Sequence, residues 1–241
     1  RLREQIKLDR WADARKEIEG IRLLGPHYRD LDQLDMVVSA AETAGWRREQ
    51  LYRAGLGAYR ERDWPSAVQA FSAVEQETPY YRDVRFLRRT AALYADLQSR
   101  DRSLRITAAR ELGEVADLVD MMPLLDALGD RSSEVAATAE ASFERLGLGG
   151  VSARNGAFDA LLEGIRHDSP AVRQRAYHLI EKYGQSAHDQ LLTALHSADP
   201  RIVEPVAMLL VTLGAREELA DALLWADTEH HEAIVKAMLT E

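Results

Sequence analysis

The side chains best suited to chemistry in this sequence are basic and aromatic. Arg82, Arg85, Arg88 and Arg89 fall in one stretch, Arg100, Arg102, Arg105 and Arg110 follow it, and Tyr80, Tyr81 and Tyr94 are interleaved. Residues 85 and 89 are four apart and 82 and 85 three apart, spacings that place side chains on one face of a helix. A guanidinium offers a rigid fork of donors to carboxylates and phosphates, and it stacks on aromatic rings. The pattern therefore points to recognition rather than bond making. The expected binding patch is Tyr81, Arg82, Arg85, Arg88, Arg89 and Tyr94, facing a phosphate or an acidic partner. The competing reading is an amphipathic helix whose arginines pair within the chain, with Asp83, Asp96, Asp101 and Glu111 as partners.

Other constellations offer less. Asp227, Glu229, His230, His231 and Glu232 cluster near the C-terminus. Adjacent residues on a helix point about 100° apart, so the two histidines do not share one ion, and the HExxH spacing of a zinc helix is missing. Acidic residues at a helix start, favoured by its positive end, explain the cluster. His167, His178, His188 and His196 are scattered. The glycine-rich segment Gly147-Leu148-Gly149-Gly150-Val151-Ser152 lacks the Lys-Ser/Thr and preceding strand of a phosphate loop. Glu217, Glu218 and Asp221 read as a solvated face. With no cysteine in the chain, disulfides, thiolate ligands and thiol nucleophiles are excluded. No nucleophile elbow is present. No catalytic residue, metal or cofactor is expected, and the chain reads as a non-enzyme.

Composition then constrains the elements that carry these groups. Ala, Leu, Arg and Glu dominate the 241 residues, a mixture that favours helix. Most of the 14 Gly and 7 Pro lie between helical stretches. No apolar run reaches the roughly 18–20 residues of a membrane span. No signal peptide opens the chain, a reducing compartment fits, and a cytoplasmic location is expected. The formal net charge of -9 is uneven: residues 1–110 balance to +4, with 21 Lys+Arg against 17 Asp+Glu, and residues 111–241 to -13, with 10 against 23. The acidic part opposes binding to nucleic acid or an anionic membrane. Because the chain starts at Arg1, it reads as a piece of a larger multidomain polypeptide.

Two families of internal repeat organise the sequence. In the first, Trp11, Ala14, Ile18, Ile21, Pro26, Tyr28, Arg29, Asp30 and Leu34 recur 53 residues later as Trp64, Ala67, Phe71, Val74, Pro79, Tyr81, Arg82, Asp83 and Leu87. Ala67, Phe71 and Val74 form one helical stripe. Thr78-Pro79 ends that helix and Pro79 starts another. Residues 48–62 are expected as the preceding helix, packing through Leu51, Gly55 and Ala58, and Asp63 as the cap of the helix at Trp64-Pro65. Long third helices are expected over 26–45 and 79–98.

In the second family, Leu104-Ala108-Leu112, Val135-Ala139-Phe143, Val172-Ala176-Ile180 and Val203-Ala207-Val211 repeat a large-small-large stripe at i, i+4, i+8. Acidic turns at Asp130-Arg131-Ser132-Ser133, Asp168-Ser169-Pro170 and Asp199-Pro200 precede the last three and read as caps. Second helices are expected over 117–128, 155–166, 186–196 and 216–225, with the segment 147–152 an inserted loop.

Leu51, Gly55, Ala67, Phe71 and Pro79 match the large-small-small-aromatic-Pro pattern of tetratricopeptide repeats, which residues 1–98 resemble. The departures are Ala58 where that family carries an aromatic, and a 53-residue period where about 34 is usual. Ala108-Ala109-Arg110-Glu111-Leu112-Gly113 and Asp168-Ser169-Pro170-Ala171-Val172-Arg173 make residues 99–241 similar to HEAT repeats of the short, phycobilisome-lyase-like type. The copies with Ala136 and Glu204 have lost the arginine. These resemblances imply an all-α fold: an α-solenoid, a right-handed superhelix of about fifteen helices in antiparallel pairs. They imply a non-catalytic scaffold or sensor arm that binds a protein partner or a neighbouring domain of the same polypeptide. Two alternatives stand beside this: a nucleic-acid-binding HEAT protein resembling alkylpurine DNA glycosylases, and a chaperone resembling bilin lyases.

Overall fold

In a computed structural model the chain is all-helical. The structure describes residues 2–8, 10–25, 31–115, 120–196, 199–224, 226 and 228–239. Among these residues there are fourteen α-helices, one 3₁₀ turn and no strand. Contacts divide the chain into two compact units, Arg1–Ala92 and Leu93–Glu241. Among the described residues no helix is long and apolar enough to cross a membrane.

The first unit holds α1 (Leu2–Lys7), α2 (Trp11–Leu24), α3 (Leu31–Arg60), α4 (Trp64–Glu77) and the start of α5 (Val84–Leu97), each of the first four packed on its neighbour in sequence. The 53-residue period is visible as geometry: α2 and α4 each have 14 residues and begin at Trp11 and Trp64. Asp63 caps α4 by accepting the Ser66 N–H at 3.2 Å. Trp64, Ala67, Phe71 and Val74 are fully buried.

Three expectations need correction in this unit. Residues 48–62 are no separate helix, because α3 runs unbroken for 30 residues. Gly45-Trp46-Arg47 supplies neither a proline nor a cap to stop it. Gly45 is held instead by the Trp11 ring, 2.9 Å from where a Cβ would lie. The buried face of α3 is Tyr52, Gly55 and Tyr59, with Leu51 and Ala58 half-buried. A Cβ on Gly55 would sit 2.6 Å from the Phe71 ring, so only glycine permits this approach. The aromatic missing at Ala58 is supplied one residue later, since Tyr59 meets Trp64 edge-on at 5.2 Å. Finally, α5 starts at Val84 rather than Pro79, after a turn in which Arg82 adopts φ of 47°. Pro26, Tyr28, Arg29 and Asp30 lie outside the described residues.

The second unit continues with α6 (Arg102–Leu112), α7 (Met122–Ala127), α8 (Ser133–Gly147), α9 (Val151–Ile165), α10 (Pro170–Tyr183), a 3₁₀ turn (Gly184–Ala187), α11 (His188–Ala194), α12 (Pro200–Thr212), α13 (Arg216–Ala222) and α14 (Thr228–Leu239). Packing joins α6 to α8, α9 to α10, and α12 to both α11 and α14. The stripes at Val135, Val172 and Val203 are buried as read, except that Leu210 replaces Val211 as the buried end of the last. Leu104 is 43% exposed while its neighbour Arg105 is buried. The expected loop 147–152 shrinks to three residues, because α8 continues to Gly147 and α9 begins at Val151. Leu118 and residues 116–119 lie outside the described residues.

Small residues set the spacing here also. A Cβ on Gly113 would fall 2.5 Å from Ser142 Oγ, and that hydroxyl donates to the Ala109 carbonyl at 2.8 Å. A Cβ on Gly164 would meet Ala176 at 2.7 Å. Acidic turns fix the helix starts: Asp101, Asp130 and Asp199 each accept the N–H two residues on. The turn at Asp168 has Pro170 at that position, with no N–H to give. There His167 Nδ1 accepts the Ser169 N–H at 3.0 Å instead.

Arg105 is 5% exposed, and its Nε and Nη2 grip Asp130 at 2.8 and 3.2 Å. Burial raises the Asp130 pKa, but the Arg105 hydrogen bond, the Ser132 N–H and nearby arginines outweigh it and hold the carboxyl below its ordinary range. Asp130→Ala leaves a buried guanidinium without its counter-charge and should cost about 3–5 kcal/mol. Phe71→Ala should cost about 3–5 kcal/mol, and Leu104→Ala no more than about 0.5 kcal/mol. Urea unfolding followed by circular dichroism measures all three. A small loss at Phe71 or a large one at Leu104 would contradict the packing described.

Candidate functional site

Of the expected patch, Tyr81, Arg82, Arg85 and Arg88 are brought onto α3 and α4 in the first unit, and α3 supplies a half that sequence spacing did not reveal. The turn after α4 folds back so that Tyr81 and Asp83 reach α3. Tyr81 Oη donates to Glu49 Oε2 at 2.6 Å, and Tyr52 Oη donates to Asp83 Oδ1. The two tyrosine rings meet edge to face at 5.5 Å. Two hydrogen bonds of opposite direction along the chain thus lock turn and helix together.

Arginines stand on this aromatic base. The Arg82 guanidinium lies 4.9 Å from the Tyr52 ring centre and 5.0 Å from that of Tyr81, and pairs with Glu49 at 3.0 Å. Arg48 lies 4.6 Å from the Tyr81 ring and donates to Thr78 Oγ1 at 3.4 Å. Arg85 covers Tyr80 at 4.5 Å and pairs with Glu75 at 3.2 Å, and Arg88 binds the same carboxylate. The positive φ of Arg82 is costly for a non-glycine residue. These ring and carboxylate contacts hold it there.

Carboxylates do pair with the arginines: Glu49 and Glu75, on the preceding helices, receive Arg82, Arg85 and Arg88. Glu49 also receives Arg53 at 2.7 Å. Its pKa is lowered, first by the Tyr81 hydrogen bond and then by that of Arg53. Two carboxylates thus hold four arginines, and the surface keeps an excess of positive charge. Arg82 and Arg85 side chains remain 51% and 54% exposed.

Beside them Trp46 and Tyr80 are 62% and 82% exposed. Trp46 and Trp11 line a groove of about 310 Å³ with Arg48, Arg53, Tyr81 and Arg82. The signal for the α3 half was the run Trp46-Arg47-Arg48, an aromatic next to two cations. Tyr94 is not part of this surface. It is fully buried in the second unit, its hydroxyl donating to the Asp120 carbonyl. Arg89 lies on the exposed side of α5. At the C-terminal cluster Asp227 lies outside the described residues. Among the described residues no three His, Asp or Glu side chains are grouped to hold a metal ion.

The arrangement offers cations, exposed aromatics and a groove. Compared with known proteins, the chain matches no family model and no curated sequence.

Burial raises the Tyr52 pKa to about 12, helped by the hydrogen bond to Asp83. Between about pH 10, the ordinary tyrosine value, and 12 the folded chain therefore holds a proton that the unfolded chain has lost. This contribution to stability is complete below pH 10 and disappears as pH rises through 12. Urea titrations at pH 9 and 11.5 should show a fall in stability that is smaller in Tyr52→Phe. An equal fall in both proteins would exclude this tyrosine as the cause.

Proposed function

We propose that the chain is a non-catalytic protein-binding module, an α-solenoid of tetratricopeptide-like and then HEAT-like helix pairs wound as a right-handed superhelix. The large-small-large stripes and the 53-residue period support that architecture, since each repeated helix covers its neighbour. In such arrays recurring residues serve packing, while the residues that differ between copies are free to bind.

The observation that carries the binding reading is Trp46 and Tyr80, exposed beside arginines already immobilised on tyrosine rings and carboxylates. Trp, Tyr and Arg are the residues that dominate interface energetics. Side chains ordered before binding lose less entropy on association. The positive balance of this surface favours a partner with acidic groups around an apolar anchor.

Wild type and the double variant Trp46→Ala/Tyr80→Ala, used as baits in extract of the source cells, test this. A protein retained by wild type should fall at least about tenfold on the variant, the loss expected for one strong anchor, with thermal midpoints unchanged. Identical retained sets would overturn the reading. A labelled oligonucleotide bound with steep salt dependence would instead assign the arginines to phosphate.

A further inference from the structure

A second site follows from comparing two arginines in equivalent places of the second unit. Arg105 in α6 and Arg173 in α10 each sit one residue after the first apolar residue of a stripe, Leu104 and Val172. Arg105 Nη1 donates to the carbonyls of Ser99 and Arg100 at 2.9 and 3.2 Å, six and five residues back. Arg173 Nη1 does the same with His167 and Asp168, at 2.6 and 2.8 Å. The anchoring is shared, but the second half of the interaction is not. Arg105 turns its Nε and Nη2 onto Asp130, the aspartate that opens the next stripe helix. The corresponding aspartate for Arg173 is Asp199, which opens α12. Asp199 is taken by Arg166 at 3.0 Å and by Arg201 at 3.0 Å. Among the described residues Arg173 has no carboxylate partner.

Arg173 lines a cavity of about 610 Å³ between α10 and α12, within the range of ligand sites. Its apolar wall is Ile165, Tyr177, Pro205 and Met208. The other charges that line it are balanced. Arg166 is paired with Glu163 as well as Asp199. Glu204 is paired with Lys236 at 2.6 Å, and Asp168 offsets the charge of Arg201. Pro205, which also lines the cavity, lies inside α12 and gives no N–H to the Arg201 carbonyl four residues back.

We infer that this cavity binds a segment of a partner protein, with one Asp or Glu side chain in the Arg173 fork and an adjacent apolar side chain against Tyr177 and Met208. Guanidinium and carboxylate match as a bidentate pair, the form that Arg105 and Asp130 display internally. Residues 111–241 carry -13, which penalises an acidic run and selects a single carboxylate. The site stands on residues of the second unit alone.

An array of acetylated, amidated octapeptides tests it on the full chain. Each holds one Asp or Glu flanked by Leu, Met, Phe or Tyr, with a matched Asn or Gln peptide beside it; binding is measured by fluorescence anisotropy. The acidic peptides should bind at least tenfold more tightly than their amide counterparts. Arg173→Gln should abolish that preference. Met208→Trp, which keeps the arginine and fills the cavity, should abolish binding, and it decides the matter if Arg173→Gln does not fold. Absence of binding to every peptide, no preference for the acid, or binding indifferent to Met208→Trp would overturn the inference. Displacement by decanoate at equal affinity would overturn it in favour of a small carboxylate.

Discussion

Close approach between helices is the constraint on which this structure rests. Apart from α3, each described helix has 15 residues or fewer, lengths that are marginal in water without tertiary partners. Each therefore depends on burying one face, and the buried faces meet where a side chain is small or missing. Gly55 admits the Phe71 ring, Gly113 admits Ser142, and Gly164 admits Ala176. A methyl group at any of these points would collide with its neighbour. The aromatic rings are placed by these contacts: with Phe71 seated on Gly55, Tyr52 comes within 6.0 Å of it, and Tyr81 then meets Tyr52 edge to face. The candidate site is the outward end of the same packing chain.

Much of the fold was legible because its signals are local. The Ala67-Phe71-Val74 stripe, the Asp63 cap and the large-small-large stripes at Val135 and Val172 follow from spacing along one helix. What was missed depended on long-range partners. Nothing in Gly45-Trp46-Arg47 announces that Trp11 will cover the glycine and let α3 continue to Arg60. Leu104 resembles its counterparts in sequence, yet Arg105 takes the interior position because Asp130 is there to receive it. Tyr94 carries the same side chain as Tyr81, and only the fold decides that one is core and the other surface.

The arginines illustrate how partner availability determines role. Arg105 is buried and doubly held, a structural tie between two helix starts. Arg82, Arg85 and Arg88 share two glutamates, so they are fixed in place while keeping exposed donors. Arg173 keeps the backbone anchor of Arg105 and has no carboxylate partner among the described residues. The sequence showed the arginine row, but the carboxylates that complete it lie on α3 and α4: Glu49 is 33 positions from Arg82, and Glu75 is 10 and 13 positions from Arg85 and Arg88. Local pairing rules could not find them.

The claim that the Trp46–Arg82 surface receives a protein is tested most directly by hydrogen exchange on the full chain, alone and bound to a captured partner. Exchange over residues 44–53 and 77–88 should slow on binding, since these segments carry the exposed aromatics and the stacked arginines. A bound chain whose exchange over both segments is unchanged would contradict the account.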